Sequence, residues 1–271
     1  MPVYLNSKIK VNEGKNNFVV DTPNLLSVPS TSINESNDIN IYTHDGSSNS
    51  QTIYDLTFNN HTLCDILIVG GGGAGSQAHG GGGGAGSVIF MKGITLNGNY
   101  KIKIGKGGLA AGTHGSGTAG IGNKGEDTEI YKSMINKVIA EGGGGGGQHS
   151  ASGNGGDGGS GGGGDAYNNP TAGQKGSAIA YTPILDGITG VKYGNDGGTA
   201  SGNPGSGGGG GGAGTAGGDG VSHHPSTGVA GPGGIGIYKA NISNVDYNFK
   251  THFNITDTNI GEHDSNNVYF G

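Results

Sequence analysis

Five histidines, His79, His114, His149, His223 and His224, sit in polar interruptions of a chain otherwise dominated by glycine. Imidazole at such places suits two chemistries. Neutral rings gathered together bind a transition metal, and a cluster of donors and acceptors contacts a surface ligand such as a glycan. The plainer reading, that histidine is a tolerated polar residue in exposed turns, is preferred, and no metal is expected. Tyr167, Asn168 and Asn169, with Pro170 and the nearby Tyr181 and Tyr193, form the least glycine-rich interruption. Aromatic faces and amides suit sugar rings and hydroxyls, although packing and turns account for them equally well.

Other chemical patterns fail on context. Asp65-Ile66-Leu67-Ile68-Val69 followed by Gly70, Gly72 and Gly75 fits a strand leading into a dinucleotide-binding glycine loop. That motif needs a helix starting at the glycines, and Ser76-Gln77-Ala78-His79 instead runs into more glycine, with no apolar helical face. No cofactor is expected. No Ser/His/Asp arrangement is recognisable and no paired acids in catalytic context occur, so an enzyme is not expected.

The elements that would position these residues follow from composition. Of the 65 glycines, all but Gly14, Gly46, Gly236, Gly261 and Gly271 fall between Gly70 and Gly234. Hydrophobic residues make up 31% and tryptophan is absent, too little for a conventional core over this length. Charged residues are only 13%, which is not the signature of a solvated disordered chain. All basic residues are lysines, so the forked donor that grips phosphates and base edges is missing and nucleic acid is not an expected partner. Cys64 stands alone, which excludes an internal disulfide and fits a reducing compartment of assembly. No run approaches the ~20 apolar residues of a spanning helix, and the N-terminus lacks a signal-peptide core. The expectation is a soluble chain that is not conventionally secreted and does not insert in a membrane.

Short alternating runs at 8–11, 18–20 and 39–42 read as strands, and the polar stretch 27–50 as a flexible connection. Further strands are expected at 64–69, 87–91, 94–96, 100–104, 128–131, 137–140 and 235–238. Asn97-Gly98 predicts a tight hairpin between two of them. Between strands, glycine runs come in pairs separated by a few polar residues, so that each pair goes out, turns and returns. Arms of six to ten residues would reach roughly 19 to 31 Å in the polyproline II conformation.

An isolated glycine arm should be disordered, since ordering costs about 1–2 kcal/mol per residue. In polyproline II every N–H and C=O points sideways, and without Cβ the arms can approach closely enough to bond one another on several sides. N–H···O bonds at about 0.5–1.5 kcal/mol net, with Cα–H···O contacts at about 0.5–1, roughly offset the entropy. The arms should therefore order only together. A collagen helix is excluded because runs such as Gly142 to Gly147 break its period, and a flexible linker is the stronger competitor. The expected fold class is all-β: a small β framework with a bundle of polyglycine II helices. The expected parts are a β-rich segment at 1–63, a glycine-rich domain at 64–240 and a β-type tail at 241–271.

The string CDILIVGGGGAG, then ITLNGNYKIKIGKGG, NKVIAEGGGGGG and the closing GGIGIYKA resemble the glycine-rich domain of phage tail-fibre adhesins and of virion proteins of large DNA viruses, over Thr62 to Ala240. A related domain occurs in the ectodomain of a receptor tyrosine kinase of the anaplastic lymphoma kinase type, but that version is disulfide-containing and secreted. The resemblance implies a polyglycine II sandwich with receptor-binding loops where the arms turn. The expected function is a non-enzymatic fibre, spike or surface protein of a virion, assembled in the host cytoplasm. Its expected partners are further copies, as trimer or filament, a larger virion assembly, and a cell-surface glycan or receptor. The alternatives are an ice-binding protein of packed glycine-rich helices and a dinucleotide-dependent oxidoreductase.

Overall fold

A computed structural model describes residues 3–7, 38–46, 51–77, 80–110, 122–147, 153–166, 176–180, 182–202, 205–223 and 227–271. The strands expected at 8–11 and 18–20 lie outside them. Six of the seven strands of the main sheet come first: β1 (Val3–Ser7), β2 (Asp38–Tyr42), β3 (Gln51–Val69), β4 (Val88–Gly105), β5 (Thr128–Ser133) and β6 (Asn136–Ala140). Short hairpin strands β7 (Ile184–Leu185) and β8 (Ile188–Thr189) follow, then β9 (Val191–Tyr193), the pair β10 (Val221–His223) and β11 (Thr227–Val229), and the pair β12 (Lys239–Ile242) and β13 (Val245–Asn248). One helical turn, α1 (Phe249–His252), precedes β14 (Glu262–His263) and β15 (Val268–Tyr269). The fold is all-β, as expected. The main sheet runs β2-β1-β3-β4-β5-β6, with β9 added on β4.

Alternation of apolar and polar residues builds the first half of the long β3–β4 ladder. In its first half Leu56, Phe58, Tyr100, Ile102 and Ile104 face inward, and Asp55, Thr57, Asn99, Lys101 and Lys103 face out. The predicted Asn97-Gly98 hairpin does not form. β4 runs through it, with Gly98 (φ +85) opposite Phe58, and Asn59-Asn60-His61 of β3 bulge against Asn97. A continuous partner strand satisfies more backbone than a turn would, so the glycine's left-handed conformation is spent on a bulge. A second irregularity falls between Cys64 and Ile66. Past these bends the ladder's other half contributes Ile66, Ile68, Ile89 and Met91 to the same buried cluster as Leu56 and Tyr100. Tyr42, on the layer of β1 and β2, meets Tyr54 edge-on at 5.1 Å.

The opposite face of this second half carries Leu67, Val69, Val88 and Phe90, covered by the tail through Phe249, Phe253, Ile255, Ile260, Val268 and Phe270. Asn248 caps α1 by accepting from the Lys250 and Thr251 N–H groups, which aims Phe249 and Phe253 at the ring of Phe90, each 5.9 Å away. The expected boundary between residues 63 and 64 falls inside β3, and that between 240 and 241 inside β12.

One ionic contact ties tail to sheet. Asp65, 4% exposed, accepts from Lys92 Nζ (3.0 Å), the Gly93 N–H (2.7 Å) and His252 Nε2 (2.8 Å). Burial pushes its carboxyl up, but the bonds from His252, Gly93 and Lys92 outweigh that and lower it from 3.8 to about 2. A carboxylate depressed in the folded state stabilises above its unfolded value, and that stability disappears as pH falls from about 4 to about 2. Asp65→Asn is therefore expected to flatten the acid limb of stability in that window by about 2 kcal/mol. Acid titration of circular dichroism, parent against variant, reads the difference.

The glycine arms leave the sheet from the ends of β3, β4, β5, β6 and β9 and pack as a lattice of period three. In the arm 80–87, the N–H groups of Gly81, Gly84 and Ser87 donate to the carbonyls of Gly147, Gly144 and Glu141 (3.2, 2.8 and 2.9 Å). Those of Gly82 and Ala85 donate to Gly208 and Gly211, in a different arm. The carbonyls of Gly81, Gly84 and Ser87 accept from Ser76, Gly73 and Gly70, and those of Gly82 and Ala85 from Gly163 and Ser160. One arm thus bonds four neighbours, each at every third residue, as three residues per turn require. An ideal Cβ at Gly145 would stand 1.6 Å from the carbonyl oxygen of Gly122, and one at Gly161 1.8 Å from that of Gly176. Bare backbone is a steric requirement there.

Candidate binding surfaces

The arm ends distant from the sheet are cross-bonded. Ser76 donates to Gly81, Gly81 to Gly147, Gly122 to Gly146, Gly147 to Gly163, Gly164 to Gly198 and Gly208 to Gly164. The ends flanking residues 78–79, 111–121, 148–152, 167–175 and 203–204 therefore meet at one pole. Gly220 donates to Thr199 and Gly231 to Gly207, which sets the β10–β11 hairpin beside it. His79, His114, His149, His224, Tyr167, Asn168 and Asn169 lie outside the described residues, and His223 is placed by its backbone, in β10 opposite Thr227. The structure thus brings together the arms that carry these segments. Among the described residues, no three His, Cys, Asp or Glu side chains converge as metal ligands.

Acidic side chains finish the bundle where neighbouring arms run out. Asp127 accepts from the Gly142 N–H, Asp157 from Ser177, Asp196 from Ala178 and Asp219 from Thr199, at 2.7 to 2.9 Å. Each carboxylate takes the place of a carbonyl from a missing arm. At the junction with the sheet, Glu141 receives Lys192 Nζ at 2.7 Å and the Ser87 hydroxyl at 3.1 Å. Both charged side chains are nearly buried, 11% and 8% exposed. Sequence reading missed this pair, since no local pattern joins residues so far apart.

The dinucleotide pattern is built as an arm. Gly71 and Gly73 spend their N–H groups on Glu126 and Gly84, and an extended segment, not a helix, follows. Cys64 is buried, and burial aided by Asp65 pushes its thiol up to about 12, which removes the reactive thiolate.

A second surface lies on the outer face of the first half of the sheet. Asp55, Thr57, Asn99, Lys101, Tyr131 and Lys132 line an open groove of about 490 Å³. Its polar groups are largely engaged with one another: Thr57 donates to Asn99 (3.0 Å), Lys101 pairs with Asp55, and Lys132 donates to the Asn97 carbonyl (2.8 Å). No helix among the described residues is long and apolar enough to cross a membrane.

No curated protein and no solved structure matches this chain. The glycine-rich domain family model matches residues 47–260, from the start of the long ladder through the arms to the tail that covers it, and the chain belongs to that family.

Proposed function

We propose that this protein is a non-enzymatic structural and adhesive module of a virus or phage particle, in which the glycine bundle is a stiff spacer presenting binding segments at its outer pole. The observation that carries this reading is the period-three lattice whose loop-bearing ends meet at one pole. A spacer needs resistance to bending, which lateral bonding to four neighbours supplies and a free glycine linker lacks. The segments between these arm ends carry imidazole, phenol and amide groups in their sequence. Further copies, or a larger particle, would dock through the framework, and the ligand class that suits the loops is a cell-surface glycan or receptor.

The test has two parts. Amide exchange on the native protein should show Gly142–Gly147 and Gly158–Gly164 protected, and random-coil rates there would end the spacer reading. Replacing residues 148–152 and 224–226 with Gly/Ser of equal length should abolish binding to glycan arrays and candidate host cells while protection persists. Unchanged binding, or absence of the protein from particles labelled with antibody under the electron microscope, overturns the adhesive assignment. Thermal hysteresis of ice growth by the same preparation would favour the ice-binding alternative.

A further inference from the structure

The arm 229–236 closes one side of the glycine lattice and is bonded on fewer sides than the arms within it. Its Gly231 and Gly234 N–H groups donate to Gly207 and Gly210 (2.9 and 2.8 Å), and its Pro232 and Ile235 carbonyls accept from Gly218 and from Gly214 and Thr215. It has two neighbouring arms where 80–87 has four. The N–H and C=O groups of Ala230 and Gly233 have no partner among the described residues, and a Cβ built on Gly233 meets nothing within 4 Å. No packing or left-handed φ among the described residues requires glycine at 233.

Three residues per turn place Val229, Pro232 and Ile235 in one row, about 9 Å apart. All three are exposed, the valine and isoleucine by 56% and 61%, and Val221, 47% exposed, extends the row as the cross-strand partner of Val229. Apolar residues scattered singly on a surface are ordinary, whereas a continuous row of four marks a docking face. Beside this ridge runs the bare row of Ala230 and Gly233. Other outer arms carry Lys106, Asn195, Asp196 and Thr199, but between 213 and 237 the one Asp, Glu or Lys is Asp219, which is bonded to Thr199.

Shape and charge select the occupant. A ridge and a bare row side by side, both stepping by three residues, are complementary to a backbone with the same step and the same pair of rows. Among the segments outside the described residues, 8–37 and 167–175 carry one glycine each, and the others apart from 111–121 are five residues or fewer with none, so they supply no bare row. The glycine-rich 111–121 is anchored across the bundle, with the arms 70–76, 80–87 and 205–212 between it and this face, as the bonds Gly108 to Gly72, Gly73 to Gly84, Ala85 to Gly211 and Gly234 to Gly210 show. The arm therefore fits itself best. On a chain of net charge −6, a face almost free of charge is also where two copies meet with least repulsion.

We propose that the arm 229–236 is a self-association face, on which a second copy of the chain seats its own 229–236 antiparallel about a twofold axis. Pro232 then lies over Gly233 of the second copy and Ile235 over its Ala230, and the contact is reciprocal, as a twofold requires. The free N–H and C=O groups of the two arms continue the lattice's lateral bonding across the axis. So small a contact is weak in dilute solution and gains strength where copies are held close together. It is lateral, separate from docking through the framework and from the adhesive role of the pole.

Cys64 is buried, so Gly233→Cys supplies one accessible thiol, at a position with room for it and beside the proposed axis. There the two Cα atoms fall within the about 4.4–6.8 Å that a disulfide spans. Mild oxidation of the full chain should link Gly233→Cys into a dimer, while Gly202→Cys, equally open but off this face, should stay monomeric. Ile235→Asp added to Gly233→Cys opposes like charges across the axis and should slow linkage about tenfold, with an unchanged melting temperature. Equal linkage of the two cysteine variants means random collision and overturns the proposal. A Gly233→Cys thiol that stays monomeric also overturns it: shielding from maleimide would mean cover by another segment of the same chain, and free reaction would leave the face to a foreign partner.

Discussion

Gly145→Ala is expected to unfold the glycine bundle, at a cost of about 3–5 kcal/mol. The added methyl would sit 1.6 Å from the Gly122 carbonyl oxygen, and the obstacle is backbone held by its own lateral bonds, not a side chain that can rotate away. Relief requires separating two arms. That leaves buried N–H and C=O groups unpaired at about 1–3 kcal/mol each, beyond the steric term. Gly233→Ala is the control. A Cβ there meets nothing within 4 Å, its φ is not left-handed, and stability should hold or rise by a few tenths of a kcal/mol. Melting temperatures of both variants, with amide exchange across 142–164, separate a lattice from a set of loosely tethered loops. Equal tolerance of the two substitutions would show that the arms are not packed.

The second large effect concerns the junction. Lys192→Met should cost about 3–5 kcal/mol, because it strands the Glu141 carboxylate in a nearly closed site with only the Ser87 hydroxyl remaining of its two named partners. The double variant Lys192→Met/Glu141→Gln should recover much of the loss, since the charge needing compensation is gone. A double-mutant cycle on urea midpoints checks it, with a coupling near zero as the contrary result. The pair joins β9 to the residue from which an enclosed arm starts, so its loss should expose that arm to exchange before the rest of the sheet.

Much of this was legible in the residues. Ile66 to Val69, Val88 to Met91 and Tyr100 to Ile104 declared strands by β-branching and alternation. The arms with the longest unbroken glycine runs, 142–147 and 207–212, are the enclosed ones, while outer arms carry Lys106, Asn195, Asp196, Thr199 and Asp219. Run length therefore reports burial, a signal the sequence contained and that reading for arms alone did not use. The Asn97-Gly98 turn misled because a local preference for positive φ does not say whether a hairpin or a bulge will use it. That was decided by a partner strand some forty residues earlier. The aspartates that finish the lattice and the Asp65–His252 link were illegible for the same reason, each joining positions with no sequence relation. The loop residues singled out for binding, His79, His114, His149, His224 and Tyr167 to Asn169, remain expectations from type and place, set on arm ends that converge.

Period-three bonding also constrains how such a protein can change over generations. An insertion of one or two residues within an enclosed arm would slide every later rung out of step with four neighbours, whereas three added residues restore phase and extend the arm by about 9 Å. Even then the extra turn stands alone unless adjoining arms grow as well. Reach is thus quantised and collective, while the segments between arms can vary freely in length and kind. Selection on such a chain should rewrite its tips quickly and leave the shaft's dimensions nearly fixed.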